Sequence, residues 1–203
     1  YLDEVHAVGM YGKYGSGLAE QFSLTDEVDI IQGTLGKAIG CIGGYITASS
    51  LLVDMLRCHA PGFIFTTALP PALVAGAQES IKILRSPEGE ALRKKHQENV
   101  HRVKQALQAK ALPVLYNPSH IVPVMVENAE ACQKISEMLL KEFDIYIQAI
   151  NYPTVPHGEE RLRITPTPFH TQEDIEKLAY ALDKLWERFN LPRLYGAQLE
   201  NIA

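Results

Sequence analysis

The chain shows two successive patterns of hydrophobic and polar residues, and the first predicts part of an α/β sheet. In residues 1–48, short apolar runs alternate with glycine-rich turns, which is typical of strands buried in such a sheet. The predicted strands are Tyr1–Val5, Asp29–Gln32 and Gly44–Ala48, and the predicted helices are Leu51–His59 and Pro70–Leu84. The glycines of residues 9–17 predict a loop after the first strand.

The second pattern begins near Ser86 and predicts a small α+β domain. Ser86 suits the cap of a helix, Pro87 its first position and Glu88 its first turn. The following elements are a helix to about Ala109, a strand at Ile121–Val126, a helix at Ala129–Lys141 and strands at Ile145–Ile150 and Arg161–Thr165. Residues 171–174 resemble a capping box, with aspartate in place of glutamate, before a long amphipathic helix. We therefore expect a first domain in residues 1–90, a second in 91–190 and a tail in 191–203.

Composition limits the kind of protein. The 203 residues carry a formal net charge of -5 and no basic run, which argues against a nucleic-acid partner. No apolar stretch approaches the roughly 20 residues that a membrane helix needs. The cysteines are far apart and the histidines lack zinc-ligand spacing, so neither a disulfide framework nor a metal site is expected. The chain starts without methionine inside a predicted strand, which indicates a partial sequence that lacks its targeting information.

An acidic residue lies in the first predicted strand, in the segment Asp3-Glu4-Val5-His6. A carboxylate at the end of a buried strand is costly unless it has a partner, and a protonated pyridine nitrogen is a suitable one. His6 follows beyond the strand, where its imidazole can bond to or stack on the same ring. An ion pair for Asp3 and a place in a capped loop for His6 are the plainer alternative.

A lysine among small residues follows the second predicted strand, in Gly33-Thr34-Leu35-Gly36-Lys37-Ala38-Ile39-Gly40. In a pocket, the amine of such a lysine is a nucleophile toward an aldehyde and later a base. The Thr34 hydroxyl can bind a phosphate. A solvent-facing lysine in a glycine loop is the alternative, whereas the spacing excludes a P-loop or a G-x-G-x-x-G nucleotide site.

The separation of Asp3 and Lys37 strengthens both assignments. Their 34-residue spacing leaves room for one loop, one short helix and a neighbouring strand. Both side chains then lie at the C-terminal ends of adjacent strands, where open α/β sheets bind cofactors. Together the two residues predict a site for pyridoxal 5′-phosphate (PLP) with Lys37 as its lysine.

These motifs resemble those of the α-oxoamine synthases, PLP enzymes of fold type I that join an amino acid to an acyl-CoA. The resemblance rests on DEVHAVGMYG, from Asp3, and on GTLGKAIGCIGGY, from Gly33, and it extends to about residue 190. It implies the C-terminal part of a PLP-binding α/β major domain, followed by a small α+β domain. The implied roles are pyridine-nitrogen partner for Asp3, ring-oxygen contact for His6, phosphate ligand for Thr34, and Schiff-base lysine and general base for Lys37.

Other segments of the resemblance imply partners and substrates. Residues 65–67, with Thr66 and Thr67, resemble the segment that reaches the phosphate from a second subunit, which implies a homodimer with shared active sites. Residues 148–163 resemble the family members that condense glycine with succinyl-CoA to 5-aminolevulinate, CoA and CO₂, the first step of haem synthesis. Eukaryotic members of this kind imply a location in the mitochondrial matrix.

The same resemblance assigns two substrate contacts. It makes Arg163 the anchor of the glycine carboxylate, for which a planar guanidinium is suited. It makes Thr154 a contact of the succinyl carboxylate on a mobile loop. Since Arg161 and Arg163 point to the same face of a strand, an ion pair with Glu159 or Glu160 is the alternative for an arginine there.

Two other interpretations stay open. The chain can belong to another α-oxoamine synthase, such as 2-amino-3-ketobutyrate CoA ligase, or be a non-catalytic module that folds only with a partner. The interpretation as a non-catalytic module is supported because the segment that should supply the ring-stacking residue and most CoA contacts in this family is not in the sequence. Among residues without an assigned role, we expect His96 and His101 to be solvated, and Cys41 and Tyr45 to be packing residues.

Overall fold

The structure, a computed structural model, describes residues 1–194, and the chain divides into two compact units, Tyr1–Lys94 and the residues from Lys95 onward. The first unit contains a mixed sheet of three strands: β1 (Leu2–Asp3), β2 (Ile30–Thr34) and β3 (Gly44–Ala48). β1 is parallel to β2, and β3 is antiparallel to β2. Its helices are α1 (Leu18–Gln21), a 3-10 turn (Thr25–Glu27), α2 (Ser50–His59), α3 (Pro61–Ile64) and α4 (Pro71–Arg85), and α5 (Pro87–Gln108) contains the boundary.

The first strand is shorter than predicted, and its end is exposed rather than buried. The carboxylate of Asp3 accepts a hydrogen bond from the backbone N–H of Val5 at 2.8 Å. An aspartate bonded in this way to a nearby backbone amide competes with the sheet and turns the chain. The strand therefore ends at Asp3.

The second unit places an antiparallel sheet against helices. Its strands are β4 (Val122–Met125), β5 (Gln148–Ile150) and β6 (Arg161–Ile164), in the order β4-β6-β5, and its further helices are α6 (Ala129–Phe143) and α7 (Gln172–Arg188). Alternation along β6 buries Leu162 and Ile164 in the core, whereas Arg161 and Arg163 lie on the other face. The predicted capping box is confirmed at the start of α7, where Thr171 and Asp174 bond to each other's backbone N–H.

One prediction about this unit is wrong: His96 is buried rather than solvated, at 3% exposure. Its spacing explains the error, since residues 96, 100, 103 and 107 lie on one face of α5 and the last three are core valines and a leucine. The His96 ring lies 5.5 Å from that of His120, and burial lowers the pKa of His96. His101 is exposed, as expected.

The predicted tail is described only in its first four residues, because residues 195–203 lie outside the described part of the chain. Arg193 pairs with Asp183 at 2.8 Å, and the Trp186 indole donates to the Pro192 carbonyl at 3.2 Å. Among the described residues, no helix is long and apolar enough to cross a membrane. In the same range no three potential metal-binding side chains form a group.

Candidate active site

The ends of β1 and β2 bring the predicted residues of the first unit toward one edge of its sheet. Asp3 is the last residue of β1 and lies opposite Gln32 of β2. Thr34 ends β2 two residues further on, and Lys37 follows in the next loop. Because the two strands are parallel, their C-terminal ends meet at the same edge, which is where open α/β sheets bind ligands.

Asp3 precedes a tight turn of residues 4–8 that contains His6. One carboxylate oxygen of Asp3 accepts from Val5, as described above, and the side chain is exposed. The backbone N–H groups of Ala7 and Val8 both donate to the Glu4 carbonyl, at 2.8 and 2.9 Å. This turn carries His6, whose side chain is exposed.

Lys37 lies in a loop closed by backbone hydrogen bonds. Leu35 donates to Gly43 at 2.9 Å, and Cys41 donates to Leu35 at 2.7 Å. The Lys37 carbonyl accepts from Gly40 at 3.0 Å, which forms a turn, and the lysine side chain is exposed. The loop therefore presents the Lys37 amine to the exterior of this unit.

The Thr34 hydroxyl is engaged by the base of the same loop. It donates to the Gly43 carbonyl at 3.1 Å and accepts from the Gly36 N–H at 3.1 Å. A phosphate oxygen needs a donor, so phosphate binding by Thr34 requires its hydroxyl hydrogen to turn away from Gly43.

Thr66 and Thr67 line a cavity of about 840 Å³ beside β2 and β3, and both are exposed. Tyr45 of β3 lines the same cavity and packs on Gly33, where an added Cβ would lie 2.2 Å from the tyrosine ring. Burial, followed by the charge of Glu4, raises the pKa of Tyr45. Tyr45 thus has the packing role expected of it and also borders a cavity.

Arg163 lies in the middle strand of the second sheet, opposite Pro123 of β4 and Gln148 of β5. It lines a cavity of about 710 Å³ and is half-buried. The ion pair with Glu159, an alternative for this strand, belongs to Arg161, at 2.9 Å. Within residues 1–194 the guanidinium of Arg163 has no hydrogen-bond or ion-pair partner. A half-buried guanidinium that lacks a partner among the described residues is suited to bind a carboxylate ligand.

Thr154 lies on the loop between β5 and β6 and is exposed. Its N–H donates to the Asn151 carbonyl at 3.0 Å. The rings of Tyr152 and His157 stack at 4.4 Å across the loop. The buried carboxylate of Glu160 accepts from Gly158 at 3.0 Å, so the loop is held at its C-terminal end.

The comparison with protein families decides the broader class. The sequence model of the family Aminotransferase class I and II matches residues 1–182. The chain belongs to this family. The predicted fold class, the α/β part of a transferase of this family followed by an α+β part, is confirmed by the match. The structure agrees with it, because a mixed sheet in the first unit is followed by an antiparallel sheet packed with helices in the second.

Individual relatives of this aminotransferase-family chain agree with the resemblance found in its motifs. It is 56% identical to the 5-aminolevulinate synthase of Rhizobium meliloti, over 95% of the chain and 47% of that protein. It is 50% identical to the erythroid-specific, mitochondrial 5-aminolevulinate synthase of Opsanus tau, over 94% of the chain and 33% of that protein. A structure of serine palmitoyltransferase with PLP is similar at a TM-score of 0.86 and 27% identity, covering 93% of this chain and 48% of that one. The chain therefore spans half or less of the length of these relatives.

Three charged residues that bond to the backbone in and next to the glycine loop of residues 9–17 were not predicted from the sequence. Glu4 accepts from the backbone of Leu18 and Ala19, and Glu20 accepts from Tyr14 and Ser16. The buried Arg93 donates to the carbonyls of Lys13 and Leu84. A signal for this was present, because a loop with four glycines at positive φ leaves many backbone groups in need of partners.

Proposed function

We propose that the protein is a PLP-dependent 5-aminolevulinate synthase, which condenses glycine with succinyl-CoA to give 5-aminolevulinate, CoA and CO₂. The observation that carries the proposal is that Asp3 ends β1 and Lys37 follows three residues after the end of β2, the parallel strand beside it. The identity of 50–56% to 5-aminolevulinate synthases supports the choice of reaction.

The side chains at this edge fit the groups of PLP. Asp3 has one carboxylate oxygen beyond the one bonded to Val5, and it can accept from a protonated pyridine nitrogen. Lys37 offers an exposed amine to the aldehyde, His6 an imidazole to the ring oxygen and Thr34 a hydroxyl to the phosphate. When bound, PLP supplies an electron sink for the α-carbon of the substrate. Lys37 holds the cofactor and afterwards moves a proton at the glycine α-carbon as general base.

Two residues of the second unit are proposed to bind the substrates. The guanidinium of Arg163, which is unpaired within residues 1–194, takes the glycine carboxylate through two parallel hydrogen bonds. Thr154, which is exposed on the loop between β5 and β6, donates a hydrogen bond from its hydroxyl to the succinyl carboxylate. The Arg163 contact sets the affinity for the amino acid. The Thr154 contact favours an acyl group that ends in a free carboxylate over an acetyl group.

The proposal includes a homodimer with shared active sites, to which Thr66 and Thr67 contribute across the subunit interface. Both threonines are exposed, and neighbouring Phe65 is 87% exposed, which is consistent with a segment that meets another subunit. The mass of the purified protein in solution tests this point. A mitochondrial-matrix location is proposed on the name of the Opsanus tau relative and is tested by fractionation of the source cells.

The first experiment adds PLP to the purified protein and reduces the mixture with borohydride. Mass spectrometry of its peptides should place the PLP adduct on Lys37. The adduct should be lost in Lys37→Ala and kept in Lys13→Ala, a matched control because Lys13 is also an exposed lysine in a glycine loop. Absence of an adduct in the wild type would favour the non-catalytic alternative.

The second experiment separates the reaction from that of its sister enzymes. Release of CoA is measured with glycine and succinyl-CoA, and then with glycine and acetyl-CoA. We expect 5-aminolevulinate and a clear preference for succinyl-CoA. A preference for acetyl-CoA would instead assign the chain to 2-amino-3-ketobutyrate CoA ligase.

A further inference from the structure

Glu4 follows Asp3 in the sequence, but the two carboxylates have opposite surroundings. Asp3 is exposed, whereas Glu4 is 1% exposed. The Glu4 carboxylate accepts from the N–H of Ala19 at 2.7 Å and from that of Leu18 at 3.0 Å, at the start of α1. A buried charge is retained only where such bonds satisfy it.

The backbone of Glu4 is bonded just as fully. Its N–H donates to the Gln32 carbonyl of β2 at 2.9 Å. Its carbonyl accepts from Ala7 and Val8, which closes the turn that carries His6. One residue therefore joins the end of β1, the His6 turn and the exit of the glycine loop.

Gly17 shows how closely the loop approaches this carboxylate. Its φ is 118°, and an added Cβ would lie 2.8 Å from the carboxyl carbon of Glu4. An L-residue at this position is strained in its backbone and also displaces the carboxylate. The lack of a side chain at Gly17 therefore leaves room for the Glu4 carboxylate.

From these contacts we propose that Glu4 is a positioning residue for Asp3 and His6. Anchored through its carboxylate to the start of α1, it fixes the backbone between the two side chains that meet the PLP ring. The role rests on the proposed function, because it concerns the same cofactor site. Because its carboxylate is bonded to Leu18 and Ala19, Glu4 acts in this proposal through the backbone and not by contact with the cofactor.

Glu20 provides a matched comparison. Its carboxylate also bonds to the glycine loop, accepting from Tyr14 at 3.0 Å and Ser16 at 2.9 Å. It makes no bond to the turn of residues 4–8 among the described residues. Glu20→Gln therefore removes the same charge from the same loop and leaves the His6 turn anchored.

The test compares Glu4→Gln with Glu20→Gln in the purified protein. In Glu4→Gln the side-chain oxygen still accepts from one backbone N–H, but the side-chain NH₂ group faces the other, so one charge-assisted bond is replaced by a repulsive contact of two donors. We expect the Ala7 and Val8 amides of the PLP-free protein to exchange about 10- to 100-fold faster, as the loss of one bond to a charged group implies. The dissociation constant of PLP should rise by a similar factor, and the pH dependence of the bound-PLP absorbance should shift. Glu20→Gln should change each by less than about twofold.

Several results would overturn the proposal. It fails if Glu4→Gln lowers only the melting temperature and leaves PLP affinity, absorbance and Ala7 and Val8 exchange as in the wild type. If Glu4→Gln does not fold, Gly17→Ala displaces the same carboxylate without removing its charge and should give the same shifts.

In the wild type itself, the Ala7 and Val8 amides should exchange with the same opening free energy as those of Leu18 and Ala19, and separate values contradict the role. A wild type that binds no PLP refutes the proposed function, while the exchange measurements still decide whether Glu4 anchors the turn.

Discussion

Replacing Arg163 by lysine tests the proposed contact with the glycine carboxylate. Lysine keeps the positive charge but loses the planar fork that bonds to both carboxylate oxygens. A hydrogen bond to a charged group contributes about 1.5–3 kcal/mol, so the loss of one such bond raises the KM for glycine about 10- to 100-fold. Since Arg163 has no partner within residues 1–194, the substitution leaves no carboxylate unpaired there. The free energy of unfolding should change by about 0.5 kcal/mol or less.

Arg161→Lys is the control, because Arg161 lies on the same strand face and pairs with Glu159. Initial rates at varied glycine, with succinyl-CoA saturating, give kcat and KM for both variants. The KM for glycine should rise in Arg163→Lys and stay within about twofold of the wild type in Arg161→Lys. The assignment is wrong if the two variants behave alike, or if the KM for succinyl-CoA alone changes.

Three further predictions concern stability and reactivity. Thr171→Ala removes the cap of α7 and should lower the free energy of unfolding by about 1 kcal/mol. Urea unfolding followed by the fluorescence of Trp186, the single tryptophan, measures this change, and an unchanged urea midpoint would contradict the capping role. Burial raises the pKa of Cys132 to about 11, so at neutral pH it should resist thiol reagents that label the exposed Cys58, and equal labelling rates would refute its burial. Burial lowers the pKa of His96 in the folded state, so protonation of this histidine favours the unfolded chain. Its contribution to the free energy of unfolding is therefore fully present above the unfolded pKa of about 6.5 and is lost as the pH falls below that value. The urea midpoint should therefore drop more between about pH 7.5 and 5.5 in the wild type than in His96→Gln, and parallel drops would contradict this.

Local patterns were sufficient for most of the elements. The bounds of β3 were predicted without error, and the cap of α7 was recognised from residues 171–174, because strand alternation and helix capping depend on near neighbours. The bounds of β1 and the start of β5 were not predicted. At β1 the Asp3 side chain turns the chain, and before β5 Ile145 still bonds to Leu139 at the end of α6.

The candidate site divides in the same way. Asp3, His6, Thr34 and Lys37 were proposed from the sequence because of their chemistry after strand ends and in a glycine loop, and the spacing of Asp3 and Lys37 implied neighbouring strands. The surroundings of each charge could not be found there. Adjacent acids such as Asp3 and Glu4, or arginines two residues apart such as Arg161 and Arg163, look equivalent along the chain.

The sequence by itself therefore determined the types of element, the family resemblance and the residues able to carry PLP chemistry. Only the tertiary structure decided that Glu4 is buried on the backbone of Leu18 and Ala19, that Arg163 has no partner among the described residues, and that His96 lies in the core. The physical reason is that burial and hydrogen bonding of a side chain depend on segments distant in the chain. Local sequence specifies which groups need partners, and packing determines which of them receive one.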